Sequence, residues 1–372
     1  MQKAAGMGLV RALGLAAVLC GTLAPTAGAQ AGKQAKDEVV LTNGTSQTGD
    51  IVAESYDGLS LEVKKNASRK IGWSEIASVK YAGQPKAYVE AMDARSRSPA
   101  DALAQLKELT ADAELRDIFK QNVLHAIPVL EQQLGNLKDA AADYDALIKA
   151  YPEGRYLDSA ARGLVDVQLA LGDPAAAGKV IDALAKDAQA GKLPASFQAL
   201  LSLLRGRILR ANGKFTDARA AFESLLKQAD LAPDIAGSAK LGIAECLKAE
   251  GKGSDAEAHF REIVSGTGPT FVLAGAWNGL ADVLLEQGKA KRDADLLLQA
   301  LYGYLRGVVQ YVPGEAEPKD EYERSLAGAA DSFRYLSEVE TDKDRKAVFA
   351  RRATERQELL RKLFPQSRYL PK

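Results

Sequence analysis

The sequence predicts a mostly α-helical protein, a right-handed α-solenoid of helical hairpins preceded by a small β-barrel-like module. Three observations support this fold class. Residues 203–226 read as two amphipathic helices joined by a turn at Gly213. Glycine turns with the same downstream pattern recur along most of the chain, and only 6% of the residues are aromatic in a composition rich in Ala and Leu. Because one hairpin cannot bury its apolar face alone, such repeats stack on their neighbours.

The pattern of residues 1–29 is typical of a secretory signal peptide. They carry basic residues near the start, an apolar run at 12–19 that is too short to span a bilayer, and the small-x-small sequence Ala27-Gly28-Ala29. This pattern predicts cleavage after Ala29 and export to the periplasm or cell envelope. A retained N-terminal anchor is the alternative, and the cleavage sequence argues against it.

The two cysteines bear on anchoring and on disulfides. Cys20 raises the alternative of a lipid anchor, but Leu19 stands where a lipidation motif needs a small residue, so we predict an unlipidated protein. Signal cleavage leaves Cys246 as the single cysteine, which predicts a buried thiol and no internal disulfide. No other stretch of the sequence is long and apolar enough to span a membrane.

The charge balance and the residue types narrow the function classes. The chain has 372 residues with 49 Lys and Arg and 49 Asp and Glu, so no basic excess favours nucleic acid as a partner. Only two histidines are present, His125 and His259, and the GxSxG, HExxH, CxxC and glycine-rich phosphate-loop motifs are absent from the sequence. We therefore predict a protein that is not an enzyme and that binds no cofactor or metal.

Residues 38–83 predict the β module. Short runs of Val, Ile, Ser and aromatic residues are separated by the turn signals Asn43-Gly44 and Asp57-Gly58, which favour positive φ angles. Four or five such strands in about 45 residues are typical of a small, strongly bent barrel.

Four residues in this module have a characteristic spacing. Leu41, Gly44, Gly49 and Ile51 form the pattern L-x-x-G-x-x-x-x-G-x-I, which resembles the first motif of Sm-like and SH3-like barrels. The Asp-x-x-x-Asn pattern that would bind RNA in Sm proteins has no match between Ser55 and Leu61. The resemblance therefore implies a fold, and it favours a capping or anchoring role over RNA binding.

A helical array follows the β module. Residues 84–117 predict two short transition helices, residues 118–340 predict the repeated hairpins, and residues 341–372 predict a basic capping helix. The turns are marked by glycines 37, 41, 38 and 37 residues apart, each predicted to end a helix in the left-handed conformation. These glycines are Gly135, Gly172, Gly213, Gly251 and Gly288.

Pieces of a known repeat signature occur along the array. Trp277 and Leu280, then Ala218 and Phe222, then Pro152 supply the parts of the pattern W-x2-L, A-x3-F and P. In combination, the array resembles tetratricopeptide repeats. The resemblance implies a superhelix whose concave groove is lined by the first helix of each hairpin and binds a protein or peptide.

The groove supplies the candidate site. Small residues at Gly206, Ala244 and Ala281 mark where paired helices approach, and the positions beside them on the same face should point inward. Leu203 and Leu241 are expected between the polar members. The candidate partner-binding residues are Arg162, Asp166, Arg207, Arg210, Glu245, Lys248, Asn278 and Asp282. Their mixed signs argue against a clamp for a single carboxylate, and ordinary polar residues of a solvated helix face are the alternative.

Two functional hypotheses follow. The first is an exported cell-envelope scaffold or adaptor that binds a protein or peptide through the groove. The alternative is a structural or self-associating envelope protein, a homo-oligomer with no dedicated peptide ligand. The identity of the partner does not follow from these residues.

Overall fold

The computed structural model describes residues 36–370, except 66, 192, 194, 314–318 and 366. The predicted signal peptide lies outside the described residues. In the described part of the chain, an antiparallel sheet of five strands comes first and fourteen α-helices follow. None of these helices combines the length and the apolar character that a membrane span requires.

The sheet is open. Its strands are β1 (Asp37–Leu41), β2 (Ser46–Ser55), β3 (Gly58–Lys64), β4 (Ala67–Gly72) and β5 (Ile76–Lys80). They are paired in the order β4-β3-β2-β1-β5, which leaves β4 and β5 at opposite edges. The predicted strands are present, and they form an open sheet in place of a barrel. A sheet of this size need not close, because helices cover its apolar face.

Two short helices and the first long helix provide that cover. They are α1 (Lys86–Ala94), α2 (Pro99–Leu109) and α3 (Asp117–Leu134). Buried sheet residues such as Leu59 and Ile71 belong to the same apolar cluster as Leu106 and Phe119 of the helices. The sheet and the first helices therefore share one core, while the domain boundary at residue 83 stays a prediction.

Buried ion pairs fasten the sheet to the helices. Both terminal nitrogens of Arg116 donate hydrogen bonds to the carboxylate of Asp37, at 3.1 and 2.7 Å, and Asp37 is only 1% exposed. Burial alone would raise the pKa of Asp37, but Arg116 and the backbone N–H groups of Ile51 and Ala82 hold it below its usual value. A second buried carboxylate, Glu54, accepts hydrogen bonds from Arg155, which lies in the loop between residues 151 and 156.

The rest of the chain is a series of antiparallel hairpins. They are α3 with α4 (Leu137–Ala150), α5 (Leu157–Ala170) with α6 (Pro174–Gln189), α7 (Ala195–Ala211) with α8 (Phe215–Leu225), α9 (Pro233–Ala249) with α10 (Gly253–Ser265), α11 (Thr270–Lys291) with α12 (Ala294–Gln310), and α13 (Asp320–Val339) with α14 (Lys343–Leu363). Four of the five predicted turn glycines, Gly135, Gly172, Gly213 and Gly251, have positive φ angles of 74 to 81°. These four turns are confirmed.

The fifth turn differs from its prediction. Gly288 lies buried inside α11, which continues to Lys291 and ends at Arg292 with a φ of 53°. Leu297, Leu301 and Tyr304 follow Arg292 at five, nine and twelve residues, the spacing that Ala218, Phe222 and Leu225 have after Gly213. The hairpin register is therefore set by Arg292, and α11 has an additional turn before the chain reverses.

Aromatic side chains packed on glycines bring the helices together. A Cβ atom added to Gly206 would lie 2.3 Å from Phe222 Cε1, and one added to Gly242 would lie 2.5 Å from Phe222 Cε2. The ring of Phe222 thus occupies the space that two glycines leave on α7 and α9. The same pairing recurs between Phe260 and Gly279.

Candidate partner-binding groove

The first helices α5, α7, α9, α11 and α13 carry three groups of ion-paired side chains along one face, which together are called here the groove network. Its members are Asp158, Arg162, Asp166, Arg207, Arg210, Asp234, Glu245, Lys248, Asp282, Glu321 and Arg324. Seven of the eight candidate residues belong to it. The structure therefore brings the candidates together, while their role in binding stays a prediction.

The network begins on the first repeats. Arg162 pairs with Asp158 on its own helix and reaches Asp234 on α9 at 3.0 Å. Arg207 on α7 pairs with Asp166 on α5. These contacts tie three successive first helices together on their common face.

The central part of the network is less exposed. Arg210 approaches Glu245 at 3.9 Å, and Lys248 lies 3.1 Å from Glu245 and 2.7 Å from Asp282. Burial alone would raise the pKa of Glu245, but Arg324, Lys248 and Arg210 hold it below its usual value. This carboxylate therefore stays ionised at neutral pH and keeps the three cations around it.

Arg324 on α13 joins the last helices to the network. Its guanidinium pairs with Asp282, with Glu245 at 3.3 Å and with Glu321 at 3.4 Å, and its side chain is 17% exposed. Burial alone would raise the pKa of Asp282, but Arg324 and Lys248 hold it below its usual value. Arg324 was not predicted from the sequence, because no glycine marks the turn of its hairpin at residues 340–342. The positions of the repeat could therefore not be assigned in that hairpin.

Two predicted members lie away from the groove surface. Asn278 is fully buried, where its amide donates to Glu321 and its carbonyl oxygen accepts a hydrogen bond of 2.7 Å from Ser325. Leu203 is 1% exposed and belongs to the core, whereas Leu241 is half-buried. Asn278 thus holds α11 to α13 from behind the groove.

A cleft opens beside the network between α7 and α9. Its volume is about 310 Å³, and it has both apolar and charged walls. Its lining residues are Leu169, Arg207, Arg210, Ala211, Phe215, Glu245, Lys248 and Ala249. Phe215 and Leu169 are half-buried, so a ligand side chain can contact apolar surface beside the arginines.

A second cleft of about 550 Å³ adjoins the first one. It is lined by Lys248, Gly251, Gly253, Asp282, Val283, Leu285, Glu286, Gln287, Lys289, Tyr304 and Asp331. Tyr304 donates a hydrogen bond of 2.6 Å to Asp282, and burial together with that carboxylate raises the pKa of Tyr304. Lys248 lines both clefts and stands between them.

The cysteine and the two histidines of the described residues differ in their surroundings. Cys246 is fully buried, and burial raises the pKa of its thiol to about 11, so the reactive thiolate is scarce at neutral pH. His259 is exposed on the surface. His125 stacks on Tyr156 and bonds to Ser159, and burial lowers its pKa to about 4.

Comparison with known proteins identifies the repeats. The family model of the tetratricopeptide repeat matches residues 130–199 and 203–270. These two ranges are recognised as tetratricopeptide repeats. A match to this repeat suggests a protein-interaction scaffold, and the matched ranges cover α5, α9 and all of α7 except residues 200–202. These three helices carry most of the groove network. The match does not extend to the β module, so its likeness to Sm-like barrels stays a prediction.

Solved structures with similar tetratricopeptide folds have low sequence identity. One is a tetratricopeptide repeat protein from Parabacteroides merdae ATCC 43184, with 15% identity over 76% of this chain and 98% of that chain and a TM-score of 0.43. Another is PilW, described as a widely conserved type IV pilus biogenesis factor, with 17% identity, coverages of 67% and 96%, and a TM-score of 0.39. PilF of Pseudomonas aeruginosa has 17% identity, coverages of 67% and 94%, and a TM-score of 0.38. No curated protein matches the chain significantly.

Proposed function

We propose that the protein is an exported cell-envelope scaffold that binds a protein or peptide partner through the groove of its tetratricopeptide repeats. The observation that carries this proposal is the convergence of charged side chains from successive first helices beside two clefts. Arg207 and Arg210 keep 31% and 37% of their side-chain surfaces exposed, so they remain accessible to a ligand.

The network also prepares the groove for binding. Ordering a long side chain at an interface costs about 0.5–1.5 kcal/mol, and an ion pair already made in the free protein lowers that cost. Arg207 is held by Asp166. Arg210 makes the longest contact of the network, at 3.9 Å, so its guanidinium has capacity for a further acceptor. Arginines are frequent anchors at protein interfaces.

Removing both arginines is expected to weaken partner binding. The combined change Arg207→Ala and Arg210→Ala should cost about 2 kcal/mol or more in binding, roughly thirtyfold in affinity, if either residue is an anchor. Reversal to Glu is a poorer test, because a carboxylate at position 210 would face the buried Glu245. The affinity would be measured with a partner captured from envelope extracts.

The matched control is a pair of arginines on the terminal helix. Arg351→Ala and Arg352→Ala remove two exposed charges from α14. Both arginines pair with Glu355 on the same helix. This control should bind the partner as the wild-type protein does. Equal losses from both double variants, or a loss only from the α14 pair, would place the binding surface outside the groove.

Self-association is the outcome that would favour the structural alternative. Light scattering of the purified protein measures its molar mass in solution. A stable oligomer that dissociates when Arg207 and Arg210 are replaced would mean that the groove holds a second copy of the chain instead of a separate partner.

The proposed location rests on the pattern of residues 1–29. Cleavage after Ala29 predicts a mature chain that starts at Gln30. N-terminal sequencing of the protein from an envelope fraction should read Gln30 first. An intact Met1 on protein recovered from the cytoplasm would rule out the export proposal.

A further inference from the structure

We propose that the groove recognises an extended peptide in which an acidic and a basic side chain are about three residues apart. This inference rests on the proposed function and specifies the chemistry of the partner. It comes from the two adjoining clefts, which have opposite charge and share Lys248.

The first cleft fits the acidic side chain. Apart from Lys248, its charged lining consists of two cations, Arg207 and Arg210, against one anion, Glu245. Glu245 is 13% exposed and already paired with three cations, so it presents little charge to a ligand. A ligand carboxylate would therefore meet the guanidinium of Arg210, with Phe215 beside it for the aliphatic part of the side chain.

The second cleft fits the basic side chain. Apart from Lys248, its charged lining consists of one cation, Lys289, against the anions Asp282, Glu286 and Asp331. Lys289 is 24% exposed, and its Nζ lies over the Tyr335 ring at 4.5 Å.

The two exposed carboxylates of the second cleft can receive a ligand cation. Asp331 and Glu286 are 48% and 74% exposed. Their pairs with Arg334 and Lys289 lie on the protein surface, where ion pairs contribute only about 0–1 kcal/mol. A lysine or arginine of the ligand can compete for them, while its methylene groups contact Val283 and Leu285.

The shape of the second cleft has two causes in the fold. The additional turn of α11 carries Lys289, which lines this cleft together with Glu286 and Gln287. Gly253 lines the cleft in the turn of the preceding hairpin, at the position where the earlier repeats carry Leu137, Pro174 and Phe215. The space that side chains would fill in other repeats is therefore open to a ligand.

The distance between the clefts sets the spacing in the ligand. Neighbouring packed helices lie about 8–10 Å apart. Helix α9 lines the first cleft together with α7 and the second cleft together with α11, so we infer a separation of about one such step. An extended peptide advances about 3.3 Å per residue, so the acidic and basic residues should be about three positions apart. Lys248, between the clefts, can donate to a backbone carbonyl oxygen of the intervening residues.

A random library of 12-residue peptides displayed on phage tests the proposal with the full chain as bait. The enriched peptides should contain an acidic and a basic residue two to four positions apart. Arg210→Ala should lower the affinity of a synthetic enriched peptide at least tenfold, and replacing the peptide's acidic residue should then have little further effect. Asp331→Asn should likewise lower the affinity, and replacing the peptide's basic residue should then have little further effect. Arg352→Ala on α14 is the control and should leave the affinity unchanged.

The outcomes separate this inference from the proposed function. The inference would be overturned if the enriched peptides bind the Arg210→Ala variant more weakly but the Asp331→Asn variant as well as the wild type, or if they lack a charged pair. Either result would leave the groove as the binding surface. Enriched peptides that bind both variants as well as the wild type, or a library that yields no binder, would overturn both proposals.

Discussion

Arg324→Ala is expected to destabilise the protein by about 3–5 kcal/mol, the cost of leaving buried charges without their partner. Glu245 and Asp282 both pair with Arg324, and their side chains are 13% and 28% exposed. Without Arg324, Asp282 would keep Lys248 as its cation, and Glu245 would share that lysine and retain the longer contact of 3.9 Å with Arg210. Urea denaturation at neutral pH measures the free energy of unfolding.

The effect should depend on pH in a defined direction. The pKa values of Glu245 and Asp282 are lowered in the folded protein, so their contribution to stability is fully present above the unfolded values of about 4.3 and 3.9. That contribution is lost as the pH falls through the folded pKa values. The difference between wild type and Arg324→Ala should therefore be largest at neutral pH and should shrink below about pH 4.

Arg334→Ala is the matched control on the same helix. Arg334 is 45% exposed and pairs with Asp331 and Glu338, both on α13. Its removal should change the free energy of unfolding by about 0–1 kcal/mol. Similar losses from Arg324→Ala and Arg334→Ala would show that the central part of the groove network does not hold the repeats together.

The second large effect is expected from Gly206→Leu, which should destabilise the protein by about 1–3 kcal/mol through overpacking. The new Cβ atom would lie 2.3 Å from Phe222, and the ring cannot retreat because Gly242 is packed on its other side. Ala218→Leu should behave similarly, since Ala218 is fully buried in the same hairpin. Thermal melting of each variant gives the comparison.

Gly178 provides the control for this prediction. It lies inside α6, and a Cβ atom at this position would have nothing within 4 Å. Gly178→Leu should be neutral or stabilising, because glycine in a helix costs about 0.5–1 kcal/mol relative to alanine. Unchanged melting of Gly206→Leu and Ala218→Leu would contradict the observed packing of α7 against α8.

The repeat pattern could be read from the sequence where each element has its own local signal. Gly135, Gly172, Gly213 and Gly251 end helices because a left-handed residue is least costly as glycine. Gly288 misled the prediction because α11 continues past it. The turn there is made by an arginine, and residue type alone does not reveal such a conformation.

Part of the candidate site could also be predicted, because helical spacing is a local signal in the sequence. Helical spacing from Gly206 and Ala244 placed Arg207, Arg210 and Glu245 on one face correctly. The ion pairs between helices could not be predicted, since the paired residues lie 34 to 79 positions apart in the chain. Burial of Asn278 and the covering of the open sheet by α1–α3 likewise depend on tertiary packing.

Site-specific photo-crosslinking tests the central claim, that the partner lies in the groove, most directly. Ala211 and Ala249 are exposed and line the first cleft, so a photoreactive residue at either position would face the bound partner. Tyr302 on α12 is 62% exposed and lies on a second helix, which makes it the control position. We expect crosslinks to the partner from positions 211 and 249 and none from position 302. Crosslinks from position 302 alone would contradict the account.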